Sequence, residues 1–345
     1  MAKIGNIELP EYPLFLAPME DVTDPTFRYM CKYFGADIMY TEFISSEGLI
    51  RDAKKTLQKL DVYDYERPIA IQIFGNNLDA MVEAAKIAET FNPDFIDINF
   101  GCPVRKIAIK GSGAGMLRTP DLMIAITQAI VKAVSLPVTV KTRLGWDEES
   151  IVIEDLAEPL QDTGIQALTI HGRTRSQFYR GESDWSPIAR VKNNPRITIP
   201  IIGNGDIKTP EGAKNAFEST NVDGIMIGRA VIGRPWIFKE VKHYLKTGEI
   251  LPSPTVRERI EYTRMHLHKS MERKGEHYGI LEMRQHFSNY FKGLSNFKET
   301  RLKLVTANEV AQIEDILQHI DKTWGDLPLE NDHLVDNCCK KLENL

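Results

Sequence analysis

At 345 residues, with 42% hydrophobic and 26% charged content, the chain suits one large domain plus a smaller one, or an α/β barrel with additions. A net charge of −5 argues against bulk binding to nucleic acid or an anionic membrane, while permitting a local basic surface. Four cysteines without a CxxC argue against a disulfide framework or a structural zinc; with no basic leader and no apolar run of roughly 18 residues, a cytoplasmic, metal-free protein off the membrane is expected.

Between residues 14 and 230, short apolar runs alternate with amphipathic ones. In chain order the predicted strands are LFLAP (14–18), DIMYTEF (37–43), PIAIQIFG (68–75), FIDINFG (95–101), PVTVKTRLG (137–145), ALTIHGRT (167–174), IPIIGNGD (199–206) and GIMIGRA (224–230). Helical patterns fill the gaps. DPTFRYMCKYFG opens with Asp before a first-turn Pro and closes on Gly35, and Thr119-Pro120 and Thr209-Pro210 each read as a cap followed by a first-turn proline. Continuously apolar strands, each separated by a helix, indicate a parallel sheet covered by helices, and eight such units fit a (β/α)8 TIM barrel. A doubly wound sheet would usually place GxGxxG after its first strand, where this chain has APMEDVTD.

LPSPT (251–255) reads as a linker, and 256–325 as a smaller all-helical domain. From Arg257 to Lys303 there are eleven Lys/Arg against six Asp/Glu; residues 304–345 reverse this, with nine Asp/Glu against three Lys.

In such a barrel the chemistry lies at the C-terminal strand ends, with phosphate commonly held after strands 7 and 8. Those ends offer Pro18, Met19 and Glu20; Gln72; Asn99 and Cys102; Lys141 and Arg143; His171 and Arg173; Asn204, Gly205 and Asp206; Gly228 and Arg229. The glycines bring backbone N–H groups near a ligand and Arg229 adds a permanent cation, so a phosphate is expected there. Gly101 and Pro103 flank Cys102, one permitting close backbone approach and the other fixing the backbone. A thiol held that way serves as nucleophile or general acid, and the sequence does not separate the two.

APMEDVTDPTFR, IQIFG, DINFGCP, VKTRLGW, IHGRTR, IGNGDI and MIGRAVIGRPWIF, in this order, resemble the tRNA-dihydrouridine synthases, especially the bacterial branch; EMRQHFSNYFKG is similar to the motif of their helical domain. The likeness spans about residues 8–325. It implies an FMN-dependent enzyme that reduces the C5–C6 bond of selected uridines in tRNA, with NADPH re-reducing the flavin. By the same resemblance, residues 1–250 form the FMN barrel, 251–325 bind tRNA, and 326–345 are a tail of no assigned role whose Cys338-Cys339 pair reads as incidental. FMN contacts would come from Pro18, Met19, Glu20 (through its backbone), Gln72, Lys141, His171, Asn204, Gly205, Asp206, Gly228 and Arg229. Asn99 would lie by the uracil. Hydride would pass from flavin N5 to C6, and Cys102 would protonate C5, a task suited to a thiol that stays protonated near neutral pH. The alternative is an FMN barrel acting on a small molecule, of dihydroorotate-dehydrogenase-like or old-yellow type, which would not need the basic helices. Oligomeric state is not legible, with a monomer as the default.

Overall fold

A computed structural model describes residues 2–51 and 53–327. Eight parallel strands form the barrel: β1 (Leu14–Leu16), β2 (Met39–Tyr40), β3 (Ile69–Phe74), β4 (Phe95–Phe100), β5 (Val138–Arg143), β6 (Ala167–His171), β7 (Ile201–Asn204) and β8 (Gly224–Ile227). Each pairs with its neighbours in sequence, and β8 pairs with β1. A parallel bridge from Phe15 to Ile38 closes the ring. All eight predicted strands are present, each shorter than its apolar run because the runs continue into the loops.

The strands are not uniform, although they read as apolar throughout. Their outward residues (Ile69, Ile71, Ile73 on β3; Val138, Val140 on β5) pack under the helices. Their inward residues form layers. The lowest is apolar, with Phe15, Ala70, Phe95, Ala167 and Ile202, and is closed below by Ile4 and Leu9 around the hairpin Lys3–Ile4/Ile7–Glu8. Above it the inward positions turn polar: Gln72, Asp97, Thr139 and Thr169, then Asn99, Lys141, His171 and Asn204. The period-2 alternation of a strand therefore decides which residues reach the mouth.

The capping prolines behave unequally. Asp24 accepts from the Thr26 and Phe27 N–H groups ahead of the helix Pro25–Tyr33, and Thr209 caps Pro210–Thr220 through Gly212. Thr119 does not cap Pro120–Ala133; its hydroxyl turns to the Met116 carbonyl.

Residues 251–255 are irregular, and Thr255 with Glu258 forms a capping box at the start of the helix Val256–Tyr290. That helix is broken at Gly275, whose φ of 77° a side chain would rarely adopt. With Lys298–Thr306 and Val310–Trp324 it encloses a second apolar cluster, which also takes in Met30, Phe34 and Trp236 from the barrel side. Among the described residues no helix is long and apolar enough to cross a membrane. Cys338 and Cys339 lie outside the described residues.

Candidate active site

A cavity of about 560 Å³ opens at the C-terminal end of the barrel. The structure brings Pro18, Met19, Glu20, Asn99, Cys102, Lys141, His171, Asn204, Gly205, Asp206, Gly228 and Arg229 to its wall. Gln72 is the exception. It is fully buried one layer below, where its Nε2 donates to Asp97 Oδ2 at 2.6 Å and its Oε1 accepts from Asn99 Nδ2 at 2.8 Å.

This buried chain positions Cys102. Asp97 accepts from Thr139 Oγ1 at 2.5 Å, and as a carboxylate it accepts only, which turns the Gln72 amide toward it. Gln72 then presents its oxygen to Asn99, and Asn99 presents its own Oδ1 to the N–H groups of Gly101 and Cys102, both at 2.9 Å. Burial pushes Asp97 up to about 6, against the pull of Thr139, Gln72 and Lys141. Gly101 contributes less than its sequence position implied: its φ is not left-handed, and a Cβ there would meet the Thr142 backbone at an ordinary 3.4 Å. The tight glycine is Gly113, at φ 55°, where a Cβ would lie 2.9 Å from the Cys102 carbonyl oxygen and 3.0 Å from its Cβ. The Cys102 thiol, 6% exposed, is pushed by burial up to about 11. It is therefore a protonated thiol across the neutral range.

Around it stands a cluster of cations. Lys141 Nζ donates to Asn204 Oδ1 at 3.2 Å, whose Nδ2 donates to the Met226 carbonyl. Burial, then the Arg143 charge, brings Lys141 down to about 8. Arg143 is held by the carbonyls of Gly101, Thr174 and Phe178, and burial brings it down to about 10. His171 is neutral, since burial and the charges of Arg143, Lys141 and Arg173 all lower it. Asp206 bridges Arg173 (2.5 Å) and Arg229 (2.7 Å), so its carboxylate positions guanidiniums rather than facing a phosphate. The Glu20 carboxylate is engaged by Lys59. At Gly228 a Cβ would project among Ala17 and Met19, which line the cavity. The arrangement suits an anionic ligand: cations, hydrogen-bond donors and a protonated thiol line one cavity.

Sequence reasoning missed Phe178 and Tyr179, which also line the cavity. Tyr179 lies under Arg229 at 4.9 Å and Arg143 at 5.6 Å, but SQFYR belongs to no strand end and no periodic pattern points to it.

The sequence model of the family described as "Dihydrouridine synthase (Dus)" matches residues 15–323. The chain belongs to the dihydrouridine synthase family. It is 40% identical over 316 residues to a probable tRNA-dihydrouridine synthase of Rickettsia bellii, covering 91% of this chain and 96% of that one. It is 38% identical over 301 residues to tRNA-dihydrouridine synthase B of Pseudomonas aeruginosa, covering 87% and 90%. Among solved structures, a 2-naphthoyl-CoA reductase complex superposes with a TM-score of 0.56 at 13% identity, covering 70% of this chain and 51% of that one, a likeness of fold alone. The family's share of the chain takes in both the barrel and the helices that follow it.

Proposed function

We propose that this protein reduces the C5–C6 double bond of selected uridines in tRNA, in the cytoplasm, using FMN held at the barrel mouth and NADPH as electron donor. The observation that carries the reading is a buried, protonated thiol, Cys102, opening on the same cavity as Lys141, Arg143 and Arg229. The relatives' names supply the substrate class.

The donor set fits FMN. Asn204, Gly205, Gly228 and Arg229 would hold its phosphate, while Lys141 and His171 would face the ring. Bound there, FMN would supply, in its reduced form, the hydride that uracil C6 takes up. The chain's own work is the proton. Cys102 Sγ–H gives its proton to C5, where the negative charge gathers, and the thiolate left behind is stabilised by Arg143 and Lys141. Neutral His171 withholds a further buried charge from an already cationic wall.

Extraction of the purified protein should release FMN. The enzyme reduced with NADPH under anaerobic conditions should be reoxidised by tRNA, with dihydrouridine appearing on mass spectrometry. No flavin after reconstitution, or a reduced enzyme indifferent to tRNA, rules the reading out.

Affinity should also depend on pH. Only protonated Lys141 attracts an anion, so FMN binding should weaken as pH rises through about 8, by up to about ten-fold per unit above it. Lys141→Gln should flatten that profile in a fluorescence titration. A wild-type affinity unchanged from pH 7 to 9.5 would take Lys141 out of the binding site.

A further inference from the structure

At least five of the eleven basic residues between Arg257 and Lys303 are already engaged by carboxylates. Arg257 pairs with Asp321 and Asp326, Arg264 with Glu261 and Glu314, Lys269 with Glu272, Arg273 with Asp61, and Lys274 with Glu282. An ion-paired guanidinium has little left to offer a phosphate. Exposed cations without a carboxylate partner among the described residues include Lys298, Arg301 and Lys303 and, around the barrel mouth, Arg105, Lys106, Lys110, Arg118 and Arg180.

The barrel group has the more defined geometry. Three loops converge on the C-terminal face. Arg105 follows the Cys102 turn, and Arg118 leans back to donate to the Ala108 carbonyl at 3.4 Å. The β6 loop is tied to the β5 loop by the Arg175 N–H on the Gly145 carbonyl and the Ser176 N–H on the Trp146 carbonyl, both 2.9 Å. At the junction two guanidiniums lie against the Trp146 ring, Arg118 at 4.2 Å and Arg175 at 4.7 Å from its centroid. The Arg175 Nε is buried without a hydrogen-bond partner, and no carboxylate among the described residues pairs with Arg105, Arg118 or Arg175. Like charges brought this close need a counter-charge. With the indole already engaged by two guanidiniums, the exposed Arg118 plane is what remains to meet a base.

We propose that Arg105, Arg118 and Arg175, braced by Trp146, form a docking surface for tRNA beside the cavity, where guanidiniums take backbone phosphates and Arg118 stacks on an unpaired base. This rests on tRNA being the substrate. Its place next to the Cys102 loop is the place an everted uridine requires, since the strand on either side of a flipped base must be held for the base to stay out of its stack. None of Arg118, Trp146 and Arg175 lines the cavity, so the surface is distinct from the flavin wall.

The test is binding of unmodified tRNA by fluorescence anisotropy from 50 to 200 mM salt, for wild type, Arg118→Ala/Arg175→Ala, Arg118→Lys/Arg175→Lys and Lys298→Ala/Arg301→Ala. Circular dichroism and the unfolding midpoint check each fold. The alanine pair should bind roughly ten-fold or more weakly, with a salt slope shallower by about one to two. The lysine pair should keep the slope and still lose affinity, because an ammonium carries the charge without the stacking plane. If wild type binds tRNA and the alanine pair matches it in affinity and slope, or only the Lys298/Arg301 pair is weakened, the surface assignment is overturned and the proposed reaction stands. If wild type itself does not bind tRNA, the proposed reaction falls and the surface with it.

Discussion

Cys102→Ala is expected to slow oxidation of the reduced enzyme by tRNA ~10²–10⁴-fold, the usual contribution of a positioned general acid, while reduction by NADPH proceeds at the wild-type rate. The thiol is protonated to about pH 11 because it is buried, so at neutral pH it holds the proton that C5 requires. Neither flavin binding nor hydride entry needs that proton. Cys102→Ser should be nearly as slow, since a hydroxyl is a far weaker acid than a thiol. A purely structural cysteine predicts the opposite pattern: lower stability or flavin content, with normal chemistry per loaded molecule. Stopped-flow measurement of the two half-reactions separates the two. A Cys102→Ala enzyme that reduces tRNA at close to the wild-type single-turnover rate would end the general-acid assignment.

How much of this was legible in the sequence depends on the range of the interaction. The strands and most helix starts are local, and they are where the runs and prolines put them. The strand-end residues reached the cavity because alternation is local too, and inward positions such as Lys141 and Asn204 follow from it. What the local pattern did not give was depth and contact between distant segments. Gln72 sits on an inward position but one layer too low, a matter of depth that alternation does not encode. Gly101 looked like the special glycine beside Cys102, whereas Gly113, eleven residues on, makes the close contact by returning through a loop. Thr119 has the residue type of a cap and lacks its bond. The Arg118–Trp146–Arg175 stack joins three loops separated by about thirty residues each, and nothing in one segment announces the others.

Asp206→Ala is expected to destabilise the folded protein by about 3 kcal/mol, roughly a hundred-fold in the folding equilibrium, because it strands a buried charge. Arg173 is 1% exposed, and its remaining partners are the carbonyls of Arg180 and Gly181 and the ring Nε2 of neutral His171 at 3.4 Å, none of which carries a charge. Asp206 Oδ2 takes Arg173 and the Ser183 N–H (2.9 Å), and Oδ1 takes Arg229. Without it Arg173 and Arg229 lose the carboxylate they share, close to the charge of Arg143. The figure is set at the low end for a broken buried pair because the Asp206 side chain is itself 19% exposed. Its pH dependence has a definite sign. Burial alone would raise Asp206, but the hydrogen bond and charge of Arg173 hold it below its ordinary 3.8. The advantage of wild type over the variant is thus complete above 3.8 and lost as pH falls through the lower folded value. Inorganic phosphate offers a second reading. A dianion at Arg229 returns part of the missing charge, so it should raise the variant's unfolding midpoint by more than it raises the wild type's. Urea denaturation at pH 7, with and without phosphate, measures both effects. An Asp206→Ala protein as stable as wild type would mean that these guanidiniums need no carboxylate, and that Asp206 is at the cavity for some other purpose.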